Sequence, residues 1–408
     1  MNINDKKILH IGLASHYTED MTYQDQELVI QNRIDGYEVI YVSNCNVYIN
    51  GRLEATKPEI KKMECGATLI RPKCMYTGTT SQIKNYFYQY LRTIWIYQTI
   101  RKIINRYSPQ IIFSHDPSIP ELLYYASLKK NNKDIRIYYD YHVDALNSGR
   151  VNIDALSSGT IVKQLLRIVY SLKEAIYREV LKLSLQYVDK IYYIWGGVRE
   201  YLTKWYKIPE NMLEFYPLGG RILDEATYIN IRRRIRDSLN LQSDDVLYIH
   251  TGKLSPEKRT DEIITAFKAI SNEKFKLIIL GSIPDNQKEH LLPLINSDSR
   301  IKYLGWKTGS ELQDYLCASD VYIQLGSAST TMQNALCCGC PVLLNSCNGY
   351  YKEFMRGNGM FVNDLDELIN ALNIISTNPD VLDKMKEATW KIALELLDYR
   401  KLAARIYE

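Results

Sequence analysis

The sequence predicts an α/β protein with two doubly wound parallel-sheet domains, each similar to a Rossmann domain, that face each other across a cleft. The first observation behind this prediction is length, because 408 residues exceed an ordinary single core and suit two domains. The second is the alternation, in both halves of the chain, of short continuous apolar runs with longer amphipathic segments. Strands of a parallel sheet are buried on both faces and are joined by helices, so they produce this alternation.

The first half of the chain contains five apolar runs that are short enough to be strands and are separated by helical patterns. The first run ends in a turn that contains Gly12. We predict strands at 7–13, 37–42, 109–116, 135–140 and 190–194. We predict helices at 25–34, 82–107 and 160–188.

The pattern starts afresh after 216–220, a Pro/Gly cluster that breaks both helices and strands. We therefore place one domain at 1–216 and the other at 217–394. Ligands of doubly wound sheets bind outside the carboxyl ends of the strands, which makes the cleft between the domains the expected site. The strands predicted in the second half are 245–250, 276–281, 301–304, 320–325 and 341–344. The helices predicted there are 261–270, 311–317, 330–338, 367–375 and 399–407.

Composition is that of an ordinary globular protein and argues against several functional classes. No stretch reaches the roughly 18 apolar residues of a membrane span, and the apolar run near the N-terminus is too short for a signal peptide. We therefore expect a cytoplasmic protein. The eight cysteines lack the spacing of a zinc site or a disulfide framework. No Gly-x-Gly-x-x-Gly motif and no Walker loop follows a strand, which argues against hydride transfer and nucleoside triphosphatase activity.

Charge is distributed unevenly along the chain. The net charge is +4, but residues 1–215 hold 28 basic and 22 acidic side chains, a net +6, and the remainder has a net charge of −2. The basic first half predicts an anionic partner, which we expect to be the inner face of a membrane in peripheral contact and not nucleic acid. The predicted helix 82–107 could lie in that interface, with covering the sheet as the alternative. Its aromatic and basic side chains include Tyr88, Tyr90, Trp95 and Tyr97 beside Arg92, Arg101 and Lys102.

A loop with two lysines follows the first predicted strand of the second domain. It begins at Gly252 and carries Lys253 and Lys258, five residues apart, between a strand and a helix. Two ammonium groups at the carboxyl end of a strand can converge on one diphosphate and neutralise it. A solvated charge cluster before the helix is the alternative interpretation.

This loop is similar to the Gly-Arg-Leu-x-x-x-Lys-Gly motif of family-4 glycosyltransferases, which have the GT-B fold. Lys253 stands in place of the motif's Arg and Lys258 matches its Lys, so both charges are kept but the planar guanidinium fork is lost. The resemblance extends over nearly the whole chain through the order and spacing of further segments. These segments are 216–220, 277–281, 301–306 and 318–323.

The resemblance implies a function for each domain. It implies transfer of a sugar from a nucleotide-sugar donor to a glycan or lipid-linked acceptor, with retention of the anomeric configuration. The donor is expected to be a UDP-sugar. The commonest setting of the family is the synthesis of bacterial surface polysaccharides. The second domain would bind the donor and the first the acceptor, with a C-terminal helix at about 395–408 returning to the first domain. No cofactor and no metal is expected, because the nucleotide sugar is a substrate and GT-B enzymes do not generally need a metal.

The resemblance also assigns residues to parts of the donor. In the family the basic pair of the motif holds the donor diphosphate, so Lys253 and Lys258 would stabilise the departing nucleoside diphosphate. The family places the nucleobase beside the segment that contains Trp306 and Lys307 in this sequence. Core packing is the alternative for Trp306.

Two glutamates of the family are replaced in this sequence. Asn334 stands at the second, which usually holds the donor ribose, and can still hydrogen-bond a hydroxyl. Gly326 stands at the first, which usually contacts the donor sugar, and offers only its backbone. Hydroxyl side chains between a strand and a helix form an anion site, with capping of the helix by Ser329 or Thr330 as the alternative. A pocket lined by hydroxyls would also suit neutral hydrogen bonding, including to an amide-bearing sugar such as an N-acetylhexosamine. The hydroxyl side chains are Ser327, Ser329, Thr330 and Thr331.

Strand ends in the first domain supply the remaining candidates. His142 resembles the family's histidine near the donor sugar and would orient that sugar, with a hydrogen-bonded structural histidine as the alternative. His115 and Asp116 are expected to line the acceptor site. Gly12 and His16 lie on the loop after the first strand, which in the family closes over the phosphates and the acceptor.

Other functions stay open at this level. An inverting transferase of the same fold would use Asp116 or Asp140 as its base. The missing first glutamate is compatible with a non-catalytic subunit that binds a glycan or a partner, and a UDP-sugar epimerase would need several acids that the sequence lacks. The pair Asp364 and Asp366 resembles the Asp-x-Asp metal motif of another fold, but it opens a predicted helix, so capping is the favoured interpretation.

Overall fold

The structure is a computed structural model that describes residues 6–407 with some gaps. The gaps are residues 14, 20, 22–23, 50–51, 74–81, 144–152 and 154–158, and the side chains at 52–53, 82–94 and 348 are also left undescribed. The chain divides into two compact units. The first consists of Met1–Thr18, Asp25–Pro217 and Ala403–Glu408. The second consists of Glu19–Gln24 and Leu218–Leu402.

The first unit is built on an eight-stranded sheet and a separate two-stranded ribbon. In chain order the strands are β1 (Lys7–Gly12), β2 (Glu38–Ser43), β3 (Asn46–Ile49), β4 (Arg52–Ala55), β5 (Glu59–Lys62), β6 (Thr68–Arg71), β7 (Ile111–His115), β8 (Arg136–Tyr141), β9 (Lys190–Tyr193) and β10 (Leu213–Phe215). The spatial order of the sheet is β10-β9-β8-β7-β1-β2-β6-β5. Neighbouring strands are parallel except β5, which runs antiparallel to β6 at the edge, and β3 pairs with β4.

Five helices are described in this unit. They are α1 (Gln24–Ile34), α2 (Gln82–Tyr107), α3 (Ile119–Asn131), α4 (Thr160–Ser184) and α5 (Gly196–Lys204). The strand order reverses between β1 and β7, which hydrogen-bond to each other. The loops that follow these two strands therefore diverge at the carboxyl edge of the sheet and leave a crevice, which is where doubly wound sheets bind ligands.

The second unit has a six-stranded, wholly parallel sheet. Its strands are β11 (Val246–Lys253), β12 (Phe275–Ser282), β13 (Ile301–Gly305), β14 (Val321–Gln324), β15 (Val342–Leu344) and β16 (Gly359–Phe361). Its helices are α6 (Glu225–Ser238), α7 (Thr260–Lys268), α8 (Asp285–Asn296), α9 (Gly309–Ala318), α10 (Thr331–Cys337), α11 (Leu365–Thr377) and α12 (Pro379–Ile392), and α13 (Tyr399–Ala404) follows near the end of the chain. The order β13-β12-β11-β14-β15-β16 reverses between β11 and β14, as in the Rossmann fold.

The core of the second unit explains why its strands are continuous apolar runs. Ile279 of β12 and Ile323 of β14 are fully buried, and Ile263 and Phe267 of α7 belong to the same apolar cluster. Because helices cover both faces of a parallel sheet, successive residues of a central strand are all shielded from water. Each fully buried side chain of this kind contributes about 1.5–3 kcal/mol to folding.

The two sheets confirm the predicted α/β, doubly wound class, and all ten predicted strands are present with ends shifted by at most a few residues. The C-terminal helix is shorter than predicted, because it ends at Ala404 and not at 407. Among the residues that the structure describes, no helix has both the length and the apolar character needed to cross a membrane.

Candidate functional site

The predicted diphosphate loop lies at the strand-order reversal of the second unit. β11 ends at Lys253 and pairs with β14, so the loops that follow these two strands lie side by side. β11 also pairs with β12, and Gly252 is opposite Gly281 in that register. A Cβ on Gly281 would come within 1.8 Å of the Gly252 carbonyl oxygen. Both glycines have positive φ, 133° at Gly252 and 129° at Gly281, which disfavours other residues. The two backbones also lie so close together that a side chain on Gly281 would clash with Gly252.

Lys258 connects the two loops. It ends a 3-10 turn, Pro256–Lys258, and its Nζ donates to the carbonyl oxygens of Ser327 at 3.0 Å and Ala328 at 3.1 Å. Burial lowers the pKa of Lys258. An ammonium has three N–H groups, so these two bonds leave one for a ligand oxygen. Lys253 is the last residue of β11 and is exposed, so the loop that follows this strand presents two cations.

Gly326 packs directly against this turn. The Ser327 N–H donates to the Glu257 carbonyl oxygen at 2.7 Å, and a Cβ on Gly326 would lie 2.0 Å from that oxygen and 2.7 Å from the Lys258 Cα. The obstructing atoms are backbone and cannot rotate away. A glutamate cannot therefore occupy position 326 unless the turn moves.

The hydroxyl run after Gly326 is anchored mainly through its backbone. The Ser329 N–H donates to the Tyr351 hydroxyl oxygen at 2.6 Å, and the Gln324 amide donates to the Ser327 carbonyl at 3.0 Å. Thr330 is the N-cap residue of α10 but makes no side-chain capping bond, and the Thr331 N–H lies 3.4 Å from the Ser329 Oγ. The capping alternative thus fails for Thr330. Ser327 and Thr330 are exposed and Ser329 is half-buried.

Trp306 and Lys307 directly follow β13. The Trp306 side chain is 45% exposed, which excludes core packing for it. The Lys307 ammonium lies 5.6 Å from the centre of the Tyr315 ring and 4.0 Å from Glu311.

Asn334 lies on α10 and is half-buried. Its Oδ1 would be 3.0 Å from a Cβ on Gly220, in the Pro/Gly cluster. The neighbouring Gln333 accepts a hydrogen bond from the Gly219 N–H at 2.9 Å. The first turns of α10 are therefore fixed to that cluster within the second unit.

In the first unit the structure brings His115, Asp116, Asp140 and His142 together at the ends of β7 and β8. The Asp140 Oδ2 atom is 3.0 Å from His115 Nδ1 and 2.7 Å from His142 Nε2. The Asp116 Oδ1 accepts from the His142 N–H at 3.0 Å, and Asp116 has a φ of 44°. Asp140 is the penultimate residue of β8 and His142 directly follows the strand, and the hydrogen bond between their side chains shows that both point the same way.

The electrostatics of this cluster favour a charged pair. Burial opposes protonation of His142, but Asp140 and then Asp116 outweigh it and raise the pKa of His142 to about 9. Burial alone would raise the pKa of Asp140, yet His142 and His115 hold it well below its usual range. Burial raises the pKa of Asp116, partly offset by His142. His142 is thus an imidazolium and Asp140 a carboxylate at neutral pH.

The same cluster is the one group of described residues with metal-ligand spacing. Three possible ligand atoms, one from each of His115, Asp140 and His142, lie within 4.8 Å of one another. The Oδ2 of Asp140 already accepts from both rings, whereas Asp140 Oδ1 and His115 Nε2 are buried with no hydrogen-bond partner in the described structure. The cysteines among the described residues are free thiols. The Asp364 side chain accepts from the Glu367 N–H at 2.8 Å, which confirms capping there.

Gly12 and His16 lie near Asp25, whose charge is also among those that raise the pKa of His142. Gly12 is the last residue of β1, and a Cβ there would lie 3.1 Å from Ser15 and 3.4 Å from the Asp25 carboxylate. The His16 Nδ1 is 3.1 Å from the Asn44 amide. Burial lowers the pKa of His16, so its ring is neutral.

Sequence reasoning missed two supporting residues. Tyr351 is fully buried and fixes the hydroxyl run, yet it lies 22 residues from Ser329 and no local pattern marks it. The sequence offers Asp140 only as the base of an inverting transferase. In the structure its carboxylate hydrogen-bonds both His115 and His142. The alternation of side chains along β8, continued to His142, could have identified that role.

Comparison with known proteins finds relatives of part of the chain. The family model for glycosyl transferases group 1 matches residues 231–391. The alpha-monoglucosyldiacylglycerol synthase of Acholeplasma laidlawii is 28% identical over 165 residues, which are 38% of this chain and 40% of that protein's length.

Solved structures match over nearly the whole chain. Sucrose-phosphate synthase from Thermosynechococcus elongatus matches with a TM-score of 0.67 and 16% identity, over 98% of this chain and 97% of its own. The Anabaena protein HepE in complex with UDP matches with a TM-score of 0.60 and 13% identity, over 98% of both chains. The chain therefore has the GT-B fold, carries a glycosyl transferases group 1 segment and resembles the family-4 glycosyltransferases.

Proposed function

We propose that this protein transfers a sugar from a nucleotide-sugar donor to a glycan or lipid-linked acceptor. The observation that carries the proposal is the position of Lys258. Its ammonium lies at the strand-order reversal, between the loops after β11 and β14, with one N–H available and Lys253 nearby in sequence. A nucleoside diphosphate is the ligand whose charge matches such a pair.

The charge of the diphosphate grows as the bond to the sugar breaks. Cations that are already fixed stabilise that charge more in the transition state than in the ground state. Lys258 is fixed by two carbonyl oxygens, and Gly252 allows the backbone to approach a phosphate closely. Trp306 supplies an exposed aromatic face for the base, and Asn334 supplies an amide for the ribose. A UDP-sugar is proposed because HepE, a structural neighbour, binds UDP.

The sugar contacts are proposed to come from Ser327 to Thr331. The packing of Gly326 on Glu257 leaves no room for the carboxylate of related enzymes, so neutral hydroxyl and N–H groups face the sugar instead. Such groups suit the amide of an N-acetylhexosamine. In the first unit, His142 would orient the donor sugar, and Gly12, His16, His115 and Asp116 would contact the acceptor.

The remaining features of the proposal follow from resemblance and from a relative. We propose retention of configuration and a reaction without a metal. The name of the Acholeplasma relative, alpha-monoglucosyldiacylglycerol synthase, supports a lipid acceptor and peripheral contact with a membrane. Synthesis of a bacterial surface polysaccharide or glycolipid would be the setting.

The test combines nucleotide binding with a donor screen. UDP, GDP and ADP are titrated calorimetrically, and the corresponding sugars are screened for turnover with extract-derived acceptors. In Lys258→Ala the best nucleotide should lose about 1.5–3 kcal/mol of binding energy, the range of a charge-assisted hydrogen bond. Lys384→Ala, at an exposed lysine of α12, is the matched control and should bind as the wild type does. Unchanged affinity in a folded Lys258→Ala protein would refute the proposed donor site.

A second function, a non-catalytic subunit that binds a glycan, is favoured by the one observation that position 326 excludes a carboxylate. Turnover of any nucleotide sugar rules it out. If turnover occurs, Ser329→Ala and Thr330→Ala should change the preference among sugars. If both leave that preference intact, the sugar contacts lie elsewhere.

A further inference from the structure

Helix α4 exposes a row of large apolar side chains along almost its whole length. Six isoleucine and leucine residues on it are between 49% and 75% exposed. They recur at intervals of three or four residues, apart from the last, so they form one continuous stripe. They are Ile161, Leu165, Ile168, Leu172, Ile176 and Leu183.

The stripe is not the face that α4 buries. Glu174, Tyr177, Leu181 and Ser184 are the buried residues, at most 8% exposed. At 3.6 residues per turn, these four lie on the side of the helix away from the stripe. An exposed apolar surface of this extent marks an interaction site in a soluble domain.

The charges on α4 indicate what the stripe contacts. The helix carries five basic and two acidic side chains, a net +3. Of the acidic pair, Glu174 is buried and accepts hydrogen bonds from the Tyr201 and Tyr206 hydroxyls, so its charge faces inward. By helical spacing, Lys173 and Lys182 lie along the two borders of the stripe, where long side chains can reach outward while their stems cover apolar surface.

We propose that the stripe on α4 lies on an anionic lipid surface, with the leucine and isoleucine side chains in the acyl boundary and the bordering lysines at the headgroups. An apolar face bordered by lysines is the pattern of an interfacial helix. A second copy of the chain is the weaker occupant, because two helices of net charge +3 would face each other. The inference deepens the proposed membrane contact and gives it a location.

The location differs from the one that the sequence suggested, which was α2. The side chains of Tyr88, Tyr90 and Arg92 on α2 lie outside the described ones. Trp95 and Tyr97 are half-buried, and the Tyr97 ring packs edge-on against Tyr124 of α3. The described end of α2 therefore packs against α3.

Vesicle co-sedimentation of the full chain tests the proposal. Vesicles of phosphatidylcholine with phosphatidylglycerol are compared with phosphatidylcholine alone, at low and high salt. The double variant Leu165→Glu/Leu172→Glu should bind anionic vesicles at least tenfold more weakly than the wild type. The control Ile229→Glu/Ile374→Glu changes two exposed apolar residues of the second unit and should bind as the wild type does.

Equal vesicle binding by the α4 variant and the wild type would overturn the proposal. A second result would also overturn it: light scattering shows that the wild type is a dimer and that the α4 variant is a monomer. The stripe would then contact a second copy of the chain and not a membrane. Nucleotide affinity is measured on the same samples and should be unchanged in the α4 variant. Vesicle binding without nucleotide binding would leave the α4 surface standing while refuting the proposed donor site.

Discussion

The carbonyl oxygen of Glu257 fills the space beside Gly326. A Cβ at position 326 would lie 2.0 Å from that oxygen, and the adjacent Ser327 N–H donates to it at 2.7 Å. The turn that carries Lys258 and the strand end that carries Gly326 are therefore mutually fitted. This turn requires a glycine at position 326. The absence of a carboxylate at that position is a consequence of the packing.

Substitution of this glycine tests the fit. Gly326→Ala should reduce the free energy of unfolding by at least about 1–3 kcal/mol, the usual cost of overpacking, because backbone atoms cannot yield. It should also weaken UDP binding, since Lys258 would move with the turn. Calorimetric melting and titration measure the two effects. Gly159→Ala, where a Cβ meets nothing within 4 Å, is the control, and equal behaviour of the two variants would contradict the fit.

The fold could be predicted from the sequence where burial leaves a signal. β11, β12 and β14 are central parallel strands, so their residues form unbroken apolar runs. β5 carries three charged residues in four and lies at an edge, so no such run marks it. Helix α6 is not among the predicted helices, because none of its residues is buried and the short apolar stripe of Tyr228, Ile231 and Ile235 lies within a strongly charged sequence.

Only part of the candidate site could be predicted from the sequence. The reason is that some of its contacts join residues that are far apart in the chain. Lysines after a strand are visible locally, and Lys258 lies where the motif suggested. The contacts that hold the hydroxyl run in place join Ser329 to Tyr351 and Gly326 to Glu257, and these pairs are 22 and 69 residues apart in sequence. Such pairs are fixed by the order of strands in the sheet, which a single sequence does not reveal.

Trp306 provides a test of base recognition. Its exposed side chain should stack on the nucleobase, and Trp306→Ala should weaken UDP binding by about 1–3 kcal/mol, the range for a base on an aromatic ring. Because the side chain is 45% exposed, the melting temperature should change little. Inorganic pyrophosphate should bind both proteins equally, and Trp306→Phe should retain most of the affinity. Weaker pyrophosphate binding by Trp306→Ala would show that the residue acts on the loop and not on the base.

Tyr351 is expected to act through Ser329. Tyr351→Phe removes the oxygen that accepts from the Ser329 N–H, a bond worth about 0.5–1.5 kcal/mol. The hydroxyl run should lose order, so KM for the nucleotide sugar should rise while the affinity for UDP alone stays the same. Tyr350→Phe, at the neighbouring position, is the control. An equal rise in the Kd of UDP would place the effect at the diphosphate loop.

Metal dependence can be predicted from the cluster in the first unit. Asp140 Oδ2 accepts hydrogen bonds from both His115 and His142, so a cation that binds to this oxygen would break them. Dialysis against EDTA should therefore leave turnover unchanged, and added Zn²⁺ should inhibit it. Loss of turnover on EDTA treatment, with recovery on adding a divalent cation, would instead identify the cluster as a metal site.

The charge of His142 gives a pH dependence. Its pKa is raised from 6.5 to about 9, chiefly by Asp140 against the opposing effect of burial. A raised pKa in the folded state means that the protonated ring stabilises the fold. This stabilisation is fully present below about pH 6.5 and is lost as the pH rises through about 9. If the imidazolium orients the donor sugar, turnover should fall over the same upper range.

Asp140→Asn separates this effect from a general loss of structure. Removing one opposite charge should lower the pKa of His142 by about 1–3 pH units, so the fall in kcat/KM should move from near pH 9 toward neutrality. At pH 6, where at least about half of the rings are protonated in the variant, it should retain much more of its activity than at pH 8. Asp134→Asn, at an exposed aspartate of the same unit, should keep the wild-type profile. A profile of Asp140→Asn that is lowered equally at every pH would mean that Asp140 supports the strand end and does not set the charge of His142.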